Sequence, residues 1–241
     1  MPQHQISRKE LKSDEFVSGV DAALEFFRRH RTRIIALAVV VLVVAASGYG
    51  YYAWQRSRNQ AATALLVQGL DALHAPVAGS TANPADVTPG ATTYPNARAR
   101  AAAAAKFFAQ GAAQYGSTMA GQLSRYYLGL AQLDQNDPAA EQTLRQAAAS
   151  SSPVASTAAK HALANLDIAN NHLAQAHALL LELTRQDSAT LPRAVAMLEL
   201  AELDRTYNPK EAARYYQQLQ TDYPGTATAQ QAKQELASLS Q

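Results

Sequence analysis

The side chains able to do chemistry in this 241-residue chain are few and scattered. Its six histidines are His4, His30, His74, His161, His172 and His177, and none belongs to an HExxH motif or an i,i+4 pair. His172 and His177 are five residues apart and so fall on different sides of a helix, which does not suit joint metal ligation. They read as surface or concave-face residues. Carboxylate pairs such as Glu199/Glu202 and Asp134/Asp137 fall at helix ends or on exposed faces, where charges are normally solvated. The absence of cysteine rules out thiol catalysis, disulfides, Cys-based metal sites and lipid attachment to a cysteine. No GxSxG, Walker loop or GxGxxG occurs, and Gly48-Tyr-Gly50 stands within an apolar segment that cannot cradle a phosphate. The expectation is a chain that is not an enzyme, with no catalytic, metal or cofactor site and no small-molecule substrate.

Charge narrows the partners. The 21 basic and 19 acidic residues divide unevenly: residues 1–33 carry seven Lys/Arg against five Asp/Glu, and residues 55–241 carry fourteen of each. A balanced large domain has no electrostatic footprint for nucleic acid, despite the sequence pI near 8.8.

What positions these residues is an all-α chain organised around Ile34–Trp54, IIALAVVVLVVAASGYGYYAW. The segment has no charge and opens with thirteen consecutive apolar residues. At about 1.5 Å per residue it spans roughly 30 Å as a helix, the thickness of a hydrocarbon core. Nine of its first eleven residues are Ile, Leu or Val, which gives an insertion free energy of roughly −3 to −5 kcal/mol. A single transmembrane helix over residues 34–54 is expected, lying in the lipid bilayer. The rival is a cleaved signal peptide, for which Ala45, Ala46 and Ser47 offer small residues. A charged leader of 33 residues and the Tyr49, Tyr51, Tyr52, Trp54 belt suit a retained anchor better.

The leader, residues 1–33, carries Phe16, Val20, Leu24 and Phe27 at helical spacing and ends in Arg28, Arg29, Arg31 and Arg33. It reads as a short amphipathic helix on an anionic membrane surface or against a membrane partner, or as an ordinary topogenic flank. The positive-inside rule places the N-terminus in the cytoplasm and residues 55–241 on the exported side. No break signal separates Trp54 from His74, so the span and the first exported helix are expected to be continuous.

Within residues 55–241 a loop rich in Pro, Gly, Ser and Thr covers 76–95. Beyond it the pattern is helical, with breaks at 115–118, 135–138, 150–153, 169–171, 187–190, 207–209 and 223–226; about ten helices with short connections imply antiparallel pairs. A period is present. Ala104, Ala140, Ala176 and Ala212 are each 36 residues after the last. Four residues beyond each comes a bulky side chain: Phe108, Leu144, Leu180 and Tyr216. Twelve residues past each alanine a turn begins, at Gly116, Ser152, Ser188 and Pro224. A small residue lets two helices approach, and the bulky one fills the space between hairpins. Of the tyrosine doublets at 126–127 and 215–216, at least one member is expected in the core.

These residues resemble the tetratricopeptide repeat family. Ala164 and Ala176 take its two small positions, with Leu180 replacing the usual aromatic. Ala212, Tyr216 and Pro224 match directly. Leu128–Gly129 carries the family's Leu-Gly pair one residue out of register with Ala140, and the early tryptophan is absent throughout. The resemblance covers roughly residues 57–240 and implies an α-solenoid of about four helix hairpins with a C-terminal capping helix. It also implies binding through the concave surface formed by the first helices. Carried over, that register places His161 and Asn165 on the concave face, and Arg125 and Tyr126 in the preceding repeat. Leader, span and exported repeats together resemble the YfgM-type ancillary subunits of the Sec translocon and the related repeat domain of the division coordinator CpoB. The first resemblance implies a bacterial inner-membrane protein associated with SecYEG, periplasmic chaperones or exported clients. The alternatives are an envelope assembly or division factor and a structural homo-oligomer.

Overall fold

The computed structural model describes residues 8–78 and 92–239, with side chains described over 28–33, 35–78 and 92–239. The leader's apolar face at Phe16, Val20, Leu24 and Phe27 lies outside the described side chains. The chain divides into two compact units, Met1–Arg56 and Ser57–Gln241. Among the described residues there are nine helices against the expected ten or so, and α1 runs without interruption over Arg8–His74. The others are α2 (Ala97–Tyr115), α3 (Met119–Asp134), α4 (Ala140–Ala148), α5 (Pro153–Ala169), α6 (Leu173–Leu183), α7 (Arg193–Tyr207), α8 (Pro209–Asp222) and α9 (Ala227–Leu239). All seven breaks between α2 and α9 coincide with the turn signals in the sequence.

In the first unit, α1 is long and apolar enough to cross a membrane, with a mean hydropathy of 2.3 over its most apolar stretch and none of that stretch buried. Leu37, Leu42 and Val44 are 66%, 68% and 65% exposed. A methyl group added at Gly48 or Gly50 would meet nothing within 4 Å.

The second unit is an array of hairpins. The end of α1 pairs with α2 through Leu66, Ala72, Ala104 and Phe108; α3 pairs with α4, α5 with α6 and α7 with α8, while α9 covers the last hairpin. The 36-residue pattern supplies the second helix of every hairpin. Ala104, Ala140, Ala176 and Ala212 are buried, and Phe108, Leu144, Leu180 and Tyr216 are fully so. In the first two hairpins the bulky side chain meets a glycine on the first helix. A Cβ at Gly69 would lie 2.3 Å from the Phe108 ring, and one at Gly129 would lie 2.6 Å from Leu144. Pro224, by contrast, is exposed in the turn after α8, where a proline cannot continue the helix.

The turns repeat as well. Asn136 and Asn171 follow α3 and α5 with φ of 58° and 61°, the left-handed conformation that asparagine tolerates. The amides three residues past each helix donate back five residues, Asp137 to the Gln132 carbonyl at 2.9 Å and His172 to Asp167 at 2.7 Å. That is the Schellman closure of a helix end. Asn208 alone joins α7 to α8, and Pro209 begins the new helix where its missing N–H is no loss. Nine residues, Thr184 to Pro192, connect α6 to α7, the longest link between α2 and α9.

The loop at 76–95 departs from expectation at its ends. Val77 and Tyr94 form an isolated parallel bridge, with the Ala78 amide donating to Tyr94 at 2.7 Å and the Tyr94 amide to Pro76 at 3.0 Å. The Asn96 side chain then caps α2 by accepting from the Ala99 amide at 2.8 Å.

Candidate functional site

The first helices of consecutive hairpins carry the residues singled out by the repeat register. Between α3 and α5 lies an open groove of about 290 Å³. Its α3 wall is Tyr126, Leu130 and Leu133, and its α5 wall is His161, Ala162, Asn165 and Leu166. Positions i, i+4 and i+7 on α3 and i, i+4 on α5 share one helical face, which is why these side chains converge. Three of the four residues placed on the concave surface from the sequence thus line one groove.

Arg125 does not. Its guanidinium reaches back to α2, 3.5 Å from the Ala112 carbonyl. The cause is the one-residue offset at Leu128–Gly129. Gly129 is the buried small residue facing Leu144, so the face of α3 is counted from 129 and turns Tyr126 into the groove. Tyr127 points the other way and stacks on Phe108 with ring centroids 5.4 Å apart. The doublet is therefore divided between core and groove. Burial raises the Tyr126 phenol above its usual pKa, with the adjacent Tyr127 adding to the effect.

His161 is tied across to the next hairpin, with Nε2 2.8 Å from the Glu199 carboxylate of α7. Asn165 Nδ2 is 3.4 Å from the same ring nitrogen. The hydrogen bond to Glu199 raises the His161 pKa, burial opposes that rise, and the Glu199 charge supports it. Glu199 is therefore engaged and half-buried, contrary to the solvated position its sequence neighbourhood suggested. Further along, the α7 and α9 faces are polar: Gln231 donates to Glu202 at 2.9 Å, and Arg205 pairs with Glu235 at 2.6 Å. Burial raises the Glu202 carboxyl, and nearby Glu235 and Glu199 push it the same way. The surface thus changes from apolar and aromatic on α3 and α5 to carboxylate-rich on α7 and α9.

The groove walls carry no hydroxyl or thiol apart from the Tyr126 phenol, so the arrangement offers apolar contact and hydrogen bonding to a chain laid against it. Among the described residues no three His, Cys, Asp or Glu are grouped as metal ligands would be. Two larger hollows were not signalled by the sequence. One of about 600 Å³ lies among α4, α5 and α6 beside Leu163 and Leu179; another of about 450 Å³ lies where the end of α1 meets Tyr94 and Phe107. Both depend on loop or second-helix placement that no local pattern encodes.

No protein-family model and no curated protein matches this chain. Among solved structures it is similar to TPR-like repeats of a kinesin light chain-type protein from Podosopora anserina and to a single-substitution variant of the same repeats. The identities are 21% and 20%, with a TM-score of 0.46 in each case. Each similarity covers 58% of this chain and 77% of the other. The assignment to TPR-like repeats rests on the hairpins and their 36-residue packing pattern in the chain itself.

Proposed function

We propose that this protein is a membrane-anchored protein-binding scaffold: a single-pass bacterial inner-membrane protein, N-terminus in the cytoplasm, whose repeat domain in the periplasm works beside the Sec translocon. The observation that carries the scaffold reading is the groove between α3 and α5, where Tyr126, Leu130, Leu133 and Leu166 stand only partly buried beside Asn165 and His161. Half-buried aromatic and aliphatic side chains with a few polar groups are what a bound segment of chain requires. The membrane part of the reading is supported by the apolar run of α1, the arginines before it and the aromatic residues at its far end. Anchoring would hold partners near the bilayer and raise their local concentration there. Resemblance to the YfgM type supports SecYEG, periplasmic chaperones and emerging exported chains as the partners.

Photo-crosslinkers at positions 161 and 165, in cells carrying the full chain, are expected to capture translocon subunits or exported clients. Capture of peptidoglycan or outer-membrane assembly factors, with septal enrichment, would replace this reading by the division-factor alternative. Capture of only further copies of the chain would replace it by a homo-oligomer.

A further inference from the structure

The joint between the third hairpin (α5–α6) and the fourth (α7–α8) is built differently from its neighbours. First helices of adjoining hairpins approach closely elsewhere, α3 on α5 and α7 on the capping α9, yet no Cα of α5 comes within 8 Å of one in α7. The nine-residue link also lies here. An apolar cluster of Ala164, Leu180, Leu183, Leu191, Ala196 and Leu200 fills the middle of the joint. On either side of that cluster the polar fastenings are histidine–carboxylate pairs. From α5, His161 reaches Glu199 at 2.8 Å; from α6, His177 Nε2 lies 3.4 Å from Asp204 Oδ2. Glu199 and Asp204 are five residues apart, about 140° around α7, so the helix is gripped on two sides. Other joints are fastened without histidine: the Gln122 side chain with Ser151 and Ser152 before α5, and Arg205 with Glu235 and Gln231 with Glu202 at the cap.

We propose that this joint is a proton-responsive latch, in which protonation of His161 converts its contact with Glu199 into an ion pair and draws the fourth hairpin onto the third, with the His177–Asp204 contact as the second fastening. His161 faces Glu199 from α7, Asn165 on its own helix and the Tyr126 phenol across the groove. His177 faces Asp204, which also feels Glu211 of α8. Asp204 anchors the second fastening: its side chain is 7% exposed and lies 3.4 Å from His177 Nε2, so the ring stands beside a desolvated carboxylate. The sign follows from the raised His161 pKa. Stabilisation is complete below the ordinary histidine value of about 6.5 and is lost as pH rises through the higher folded value. The latch concerns the chain alone and does not depend on what the concave surface binds.

The absence of cysteine makes the test direct. Spin labels on Gln142→Cys and Gln217→Cys, both exposed and outside the joint, report the distance from the second hairpin to the fourth in the full chain in nanodiscs. The expected result is a distance distribution that shortens and narrows on acidification, with its midpoint following the His161 ring resonance by NMR. Glu199→Gln should lower that midpoint, and His161→Asn with His177→Asn should abolish the shift. Identical distributions on both sides of the His161 titration would overturn the latch, as would a shift that persists in the double variant. The scaffold reading is tested separately by crosslinking, so failure of one leaves the other standing.

Discussion

At Gly129 the side chain of Leu144 occupies the space where a β-carbon would stand, and at Gly69 the Phe108 ring does the same. Leu144 and Phe108 are fully buried, so neither can swing aside without disturbing its own packing. Gly129→Ala is expected to destabilise the repeat unit by about 1–3 kcal/mol, the range for overpacking a dense core. Gly48→Ala, in open space, should leave thermal unfolding unchanged. Tyr216 presents a different balance: it fills the bulky position of the fourth hairpin, and its hydroxyl is buried without a hydrogen-bond partner. Burial, aided by the charges of Glu235 and Glu202, raises its pKa to about 12. Because burial disfavours the phenolate, the fold keeps its full stability below the ordinary value near 10 and loses stability as pH climbs towards 12. Tyr216→Phe should therefore be neutral or stabilising at neutral pH, and denaturant titrations above pH of about 10 should show a flatter loss of stability than in the parent. The sequence placed Tyr216 in the core through its spacing. It had no means of showing that the hydroxyl goes unpaired, because that depends on what surrounds the ring tip.

At the scale of the helix, the punctuation was legible and the register was not. Thr118 illustrates the first point: its hydroxyl accepts from the Gly121 amide at 3.0 Å and begins α3 where YGST suggested a break. Gln122 illustrates the second. It is buried in the first turn of α3, and its Oε1 accepts from the Ser152 amide at 2.6 Å, thirty residues away. Gln122→Ala leaves that buried amide without its partner, and a loss of about 1–3 kcal/mol is expected on chemical unfolding. The faces of α3 were uncertain by one residue because counting back from Ala140 by the Ala164–Ala176 spacing reaches Leu128, whereas the small residue by type is Gly129. Which one faces Leu144 is a matter of how α3 lies on α4. The consequence was functional: a single step moved Arg125 out of the groove and left Tyr126 in it.

For the whole molecule, the membrane anchoring proposed above rests on the charge-free run of α1. One arginine at the centre of a span costs about 2.5–3.5 kcal/mol against a total insertion free energy of roughly −3 to −5 kcal/mol. Val41→Arg should leave part of the protein in membranes after alkaline extraction, and Val41→Arg with Val44→Arg should release it. Retention of the double variant would show that the bilayer attachment lies elsewhere than in residues 34–54.

Composition, apolar length and a 36-residue spacing were sufficient to determine an all-helical chain, a helix able to span a bilayer, and the alanines and bulky residues that make each hairpin close. These properties are local or periodic, and hydrophobic burial at fixed spacing leaves a helix little choice of which face to hide. The partners of His161, His177 and Gln122 were decided by tertiary structure alone. Each lies 27 to 38 residues away in the chain, where distance along the sequence says nothing of distance in space. The same holds for the wide separation of α5 from α7, which arises from how two hairpins stack rather than from any residue in either.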